Sequence, residues 1–229
     1  MKQYNGEKAI ISLTSWKARI GTVAKTIYSL IKQCPGFHIV LVLSEEEFPQ
    51  KESELPENLM LFVDNDLVEI LWVYKNYKAF KKVLFTMDKY RDVPIISADD
   101  DCIYKYNYAE ELYDKWLTNK KAVVTTKNKR YFNTCHTNGP TTLHPPYCYG
   151  KFGIACLTPE IIERNQDDDY YMVLRHKLNK SDVILLDRDY THYVKQHTSV
   201  GELCKIYLKP HYCEDTLRLY ETTIKLTEA

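Results

Sequence analysis

The chain has 229 residues, 45% hydrophobic and 27% charged, an ordinary globular balance that can bury a substantial core without disulfides or a structural metal. Thirty-one Lys and Arg against thirty-one Asp and Glu give a formal net charge of zero, which excludes a whole-domain basic footprint for nucleic acid. Length alone fits one large domain or two small ones.

In chain order, Met1 to Glu7 is polar and the apolar run after it covers only Ala9 to Leu13, so no signal peptide is expected. Ala9–Leu13 reads as a short buried strand. Thr22 can cap a helix with Val23, Ile27, Leu30 and Ile31 on one face, stopped by Pro35-Gly36. His38–Leu43 is near-continuously apolar, as a strand covered on both faces should be. Leu59–Val63 and Val68–Val73 read as two further strands. Asn76–Tyr90 reads as a helix with Ala79, Phe80, Val83, Leu84 and Met87 on one side, and Pro94–Ala98 as a buried strand. Strand-helix alternation of this kind implies right-handed crossovers and a mostly parallel sheet.

The second half is less regular. Tyr108–Leu117 reads as a helix and Ala122–Thr126 as a strand. Lys127–Gly150, rich in Asn, Thr, Pro, His and Tyr, reads as a long loop. A strand is expected over Gly150–Leu157, a helix opening at Thr158-Pro159, and another helix over Asp167–Asn179. Asp189–Ala229 fits a helix followed by a tail. The seven cysteines are Cys34, Cys102, Cys135, Cys148, Cys156, Cys204 and Cys213. None are spaced C-x-x-C, so they read as reduced thiols rather than paired zinc ligands. No stretch approaches the ~20 apolar residues of a membrane span. The expected location is the cytoplasm, with peripheral association at the inner face of the membrane left open.

Asp99-Asp100-Asp101 follows directly on the Pro94–Ala98 strand. An isolated Asp triplet is usually a solvated turn. Behind a buried strand of an α/β sheet it stands where ligands bind, beyond strand carboxyl ends. Carboxylates there suit Mg2+ or Mn2+, which also bind substrate phosphates. Side chains two apart on a strand share a face, so Asp99 and Asp101 are expected to reach one site while Asp100 points elsewhere. Thr14, Ser15, Trp16 and Arg19 leave the first strand, and Arg19 could pair with phosphate. Of Lys78, Lys81 and Lys82, at least two read as a solvated basic face and one could lie near a diphosphate. Asp167-Asp168-Asp169 suits helix capping or a general base acting on an acceptor hydroxyl. Tyr147, Tyr149, Tyr170 and Tyr171 could stack on sugars. His192, His197 and His211 could add a metal ligand, although an ordinary surface or core role suits each better.

Four stretches together resemble the GT-A glycosyltransferases, particularly bacterial polysaccharide-type enzymes. They are ISLTSWKARIGTVAKTIYSLIKQ, HIVLVLSEEEFP with LPENL, YKAFKKVLFTMDKYRDVPIISADDDCIY, and PYCYGKFGIACLTPEII with DDDYY. The resemblance implies a single α/β, Rossmann-like GT-A domain with a mostly parallel central sheet flanked by helices. Residues 1–104 would form its nucleotide-sugar half and 105–229 its acceptor half. It implies that Thr14, Ser15, Arg19, Lys82, Asp99 and Asp100 lie at the nucleotide sugar. Asp99 and Asp101 would hold Mn2+ or Mg2+, and Asp169 or Asp168 would be the base if the reaction inverts the sugar. The implied partners are a nucleotide-sugar donor, a UDP-sugar foremost, and a glycan or lipid-linked acceptor. Two other readings compete: a sugar-phosphate nucleotidyltransferase, disfavoured because no glycine precedes Gly21 after the first strand, and a non-catalytic carbohydrate-binding module. Donor sugar, acceptor, stereochemistry, oligomeric state and the role of residues 182–229 are not encoded in recognisable form.

Overall fold

A computed structural model describes residues 3–33, 36–126, 139–148 and 168–193, with single residues at 159 and 218. Seven strands form the central sheet in the order β3-β2-β1-β4-β7-β6-β8. They are β1 (Ala9–Thr14), β2 (Phe37–Ser44), β3 (Glu69–Val73), β4 (Ile95–Ser97), β6 (Val123–Thr126), β7 (Thr142–His144) and β8 (Val183–Leu186). A separate two-stranded ribbon pairs β5 (Cys102–Tyr104) with β9 (Thr191–Tyr193), antiparallel. In the main sheet β1, β2, β3 and β4 are parallel, as are β6 and β8. Only β7 runs against its neighbours β4 and β6.

The pleat divides the core. Ala9, Ile11, Leu13, Ile39, Leu41 and Leu43 face one layer, with α1 (Ile20–Ile31), α2 (Glu57–Asp64) and α4 (Tyr108–Leu117). Ile10, Val40 and Val42 face the other, with α3 (Lys81–Lys89) and α5 (Asp168–Leu178). Helices on both faces explain why β2 is buried along its whole length. From β1 the chain builds outward through β2 to β3, then returns to place β4 on the opposite side of β1. The β1/β4 boundary is therefore a topological switch point, where open α/β sheets leave a crevice outside the strand ends.

Several boundaries differ from the sequence reading. Leu59–Val63 is helical, inside α2, because only Leu59 and Val63, four apart, are buried while Leu61 is exposed. The Asn76–Tyr90 helix begins later. Lys78 has φ 53, and a 3-10 turn over Lys78–Phe80 leads into α3. Thr22 lies inside the first turn of α1, its hydroxyl donating back to the Arg19 carbonyl at 3.0 Å, and Arg19 is the N-cap residue. The Lys127–Gly150 loop contains β7. The expected 150–157 strand, the helix opening at Thr158 and the chain beyond 193 lie outside the described residues, apart from positions 159 and 218. Among the described residues no helix is long and apolar enough to cross a membrane.

Candidate functional site

β1 and β4 run in register, Ile10 beside Ile95 and Ser12 beside Ser97. The Ala98 N–H still bonds the Ser12 carbonyl at 2.9 Å, so Ser15 and the Asp triplet emerge side by side at the switch point. The triplet's backbone is fixed from two directions. Thr26 of α1 donates to the Asp100 carbonyl (2.9 Å), and Ser29 one turn later accepts the Tyr104 N–H (3.0 Å). The Asp99 N–H donates to the Tyr104 hydroxyl at 2.8 Å. The triplet is thus a clamped turn between β4 and β5, not a strand extension, and this changes where its side chains go.

Asp100 does not point away from the site. It is buried, accepting from Ser15 Oγ at 2.6 Å and from Arg19 Nη1 at 2.8 Å. The same Arg19 nitrogen lies 3.2 Å from Asp101, so the arginine expected at a phosphate here bridges two carboxylates. Asp99 turns the other way, its Oδ1 2.8 Å from Lys82 Nζ. Lys82 is buried, and 3.1 Å from it lies Asp168 at the start of α5. The two acidic clusters, nearly seventy residues apart in sequence, meet across one ammonium group.

Lys82 is held in place by its own backbone. Ser12 of β1 donates to the Lys82 carbonyl and shares a 2.7 Å bond with Thr86, pinning α3 to the sheet. Lys81 is buried as well, paired with Glu47 at 3.1 Å and bonded to Asn76 at 2.9 Å. Only Lys78 of the three lysines is exposed, so the expected solvated basic face is reduced to one residue. Thr14 uses its hydroxyl on the Val42 carbonyl at 2.7 Å, a sheet contact rather than a ligand contact. Asp169 is half-buried, its carboxylate against Gly139, where an added Cβ would stand 2.9 Å from Oδ1. Tyr171 is wholly buried against Phe80, which removes it as a stacking platform. Tyr147 is exposed and donates its hydroxyl to Asp92. Tyr149, Asp167, His197 and His211 lie outside the described residues, as do the side chains of Tyr170 and His192.

The electrostatics follow from this crowding. Burial alone would lower the Lys82 pKa, but the charges of Asp168 and Asp99 outweigh it and hold the ammonium charged. Burial raises the carboxyls of Asp100 and Asp168 above the usual range. Burial and then the Asp99 charge push Asp101 up to about 6. Burial is the leading cause in each of the three, and the Asp99 charge adds to it. Thr26, Ser29, Tyr104 and Gly139 were not singled out from sequence. The two hydroxyls leave a trace there, as polar residues on the otherwise apolar face of α1.

No known protein-family model matches the chain, and no curated protein sequence matches it. Solved structures do. S. aureus TarS 1–349 in complex with UDP-GlcNAc superposes with a TM-score of 0.65 at 13% identity, over 94% of this chain and 66% of that one. The same fragment in complex with UDP gives 0.63 at 13% identity, over 95% and 65%. A further TarS structure gives 0.60 at 12% identity, over 94% and 43%. The chain therefore spans at most about two thirds of the length of these structures. Its fold is theirs, the GT-A form of the Rossmann-like α/β sheet.

Proposed function

We propose that the chain is a glycosyltransferase that moves a sugar from a nucleoside diphosphate sugar, a UDP-sugar foremost, to a hydroxyl of a glycan or lipid-linked acceptor. The observation that carries this reading is the meeting of Ser15, Arg19, Lys82, Asp99, Asp101 and Asp168 at the β1/β4 switch point. A GT-A fold shared with a protein crystallised with UDP-GlcNAc supports it.

The residues fit a divalent cation. Asp99 and Asp101 are both partly open to solvent, with side chains 30% and 23% exposed. Burial, and after it the Asp99 charge, holds Asp101 at about 6, and an added cation would act against that shift. Mg2+ and Mn2+ take one or two carboxylates and fill the remaining positions with water and substrate phosphate, so two open carboxylates suffice. Such an ion supplies neutralisation of charge on the leaving diphosphate. In this reading Asp99 and Asp101 hold the metal. Arg19 and the buried Lys82, each paired with carboxylates of the cluster, direct positive charge toward the diphosphate. Asp100 acts from behind, by orienting Arg19 through its two-partner contact. Asp168 holds Lys82, and Asp169, half-buried beside Gly139, removes the acceptor proton if the anomeric centre inverts. Residues beyond about 105 carry the acceptor side.

The test is a thermal-shift screen of nucleotide sugars with and without Mn2+, since a ligand of the folded state alone raises apparent stability by mass action. A shift needing both components is expected, lost in Asp101→Ala together with transfer. Full metal-dependent transfer in that variant would sink the assignment. Release of pyrophosphate from a nucleoside triphosphate would assign nucleotidyl transfer instead, and glycan binding without nucleotide or metal would assign a binding module.

A further inference from the structure

Away from the acidic cluster, His144, Cys148 and His176 converge in the interior. All three are buried, and one donor atom from each lies within 4.8 Å of the others. His144 closes β7, and the chain turns immediately through Pro145-Pro146-Tyr147-Cys148. Proline at the second turn position supplies the required φ. Tyr147 takes φ 60, and the Cys148 N–H returns to the Pro145 carbonyl at 3.3 Å. The turn thereby brings the Cys148 thiol back toward the imidazole four residues earlier. Asn179, directly after α5, donates to the Cys148 carbonyl, fixing that turn against the helix that carries His176.

The facing atoms, His144 Nδ1 and His176 Nε2, stand 3.3 Å apart. Two nitrogens each about 2.0–2.1 Å from a tetrahedral zinc are separated by about 3.3–3.4 Å, so the imidazole pair already has the edge length of such a site. The neutral imidazole ring is the form that ligates. One sulfur with two nitrogens is a zinc set, unlike the oxygen set at Asp99 and Asp101.

We propose that His144, Cys148 and His176 form a zinc site that staples α5 to β7 and to the turn after it. Binding releases the Cys148 proton to solvent and forms the thiolate-metal bond. Three protein donors leave the fourth tetrahedral position for water or another donor. The site is structural in consequence: His176 lies about 12 Å along α5 from Asp168, so fixing it fixes the helix that delivers Asp168 to Lys82. This inference is independent of the nucleotide-sugar reading.

The experiment measures metal in the full chain purified without added metal, then replaces zinc by Co2+. About one zinc per chain is expected, and cobalt should give a thiolate charge-transfer band in the near ultraviolet. The band should vanish in Cys148→Ser and persist in Asp101→Ala, which separates this site from the carboxylate site. Absence of both zinc and the band overturns the proposal, as does a band unaffected by Cys148→Ser. Should Cys148→Ser not fold, zinc-edge X-ray absorption on the unaltered chain reads the ligand shell directly. One sulfur with imidazole nitrogens is expected, and a sulfur-free shell overturns the site.

Discussion

Replacing Lys82 by methionine keeps most of the side-chain volume and removes the charge that two carboxylates share. Lys82 Nζ lies 2.8 Å from Asp99 and 3.1 Å from Asp168. Side-chain exposure is 5% for Lys82 and 9% for Asp168, against 30% for Asp99. Water can therefore take up part of the lost partner at Asp99 but little at Asp168. Removing one member of a buried pair costs about 3–5 kcal/mol, and with Asp99 relieved by solvent the lower end is expected, about 3 kcal/mol. The loss should depend on pH with a definite sign. Without the ammonium, burial and the Asp99 charge act on Asp168 with only a backbone hydrogen bond against them, so its folded pKa rises further above the unfolded value of about 3.9. A carboxyl raised in this way destabilises as pH rises through its folded pKa, and the penalty disappears on acidification. Urea unfolding of both proteins at about pH 7.5 and about pH 5 should show the gap narrowing at the lower value. A difference below about 1 kcal/mol at both, unchanged with pH, would place these groups in the class of screened surface pairs and refute the account of the site.

Glu69 tests the opposite sign at the other end of the sheet. Burial would raise its pKa, but hydrogen bonds from His38, Lys89 and Tyr90 outweigh it and bring it to about 2 from the usual 4.5. A depressed carboxyl stabilises above its unfolded pKa and loses that contribution as pH falls, here between about 4.5 and 2, worth about 3 kcal/mol. Acid titration of stability should show this loss, and Glu69→Gln should flatten it. Gly139→Ala should displace the Asp169 carboxylate, 2.9 Å from the new Cβ, and lower kcat about tenfold or more while donor affinity holds. An unchanged kcat would remove Asp169 from the chemistry. Tyr104→Phe strips the acceptor from the Asp99 N–H. It should cost about 1–3 kcal/mol and weaken Mn2+-dependent nucleotide binding, read by urea titration and thermal shift.

The parallel half of the fold was readable because β2 and β4 are buried along their whole length and β1 nearly so, and continuous apolar runs such as His38–Leu43 report this directly. The same signal misled at Leu59–Val63, where helix α2 buries only one stripe and local hydrophobicity hides the period. β7 is three residues long, Thr-Leu-His, and its burial comes from β4 and β6 on either side, so nothing local marks it. At the site, residue types were readable and partnerships were not. Asp100 looked like the carboxylate to discount because a strand would turn it away. The clamps from Thr26, Ser29 and Tyr104 make a turn there instead, and long-range hydrogen bonds of this kind have no sequence spacing. The histidine and cysteine cluster escaped for the same reason, since His144 and Cys148 are four apart but His176 arrives on a distant helix.

Charge balance ties the two halves of the site together. Asp99, Asp100, Asp101 and Asp168 face Arg19 and Lys82, so four carboxylates share two cations. Fully ionised, the cluster would carry two excess negative charges in a setting where Asp100 and Asp168 have almost no access to water. Burial first, and the Asp99 charge after it, raise Asp101 to about 6. A solvated acidic turn would show none of this, because water would screen each carboxylate separately. In the proposed reading, one divalent cation between Asp99 and Asp101 would cancel the excess and lower the Asp101 pKa, and Arg19 and Lys82 would then have charge available for an anionic ligand. On that reading a metal and a diphosphate balance the cluster together, and the two should bind more tightly jointly than either does alone.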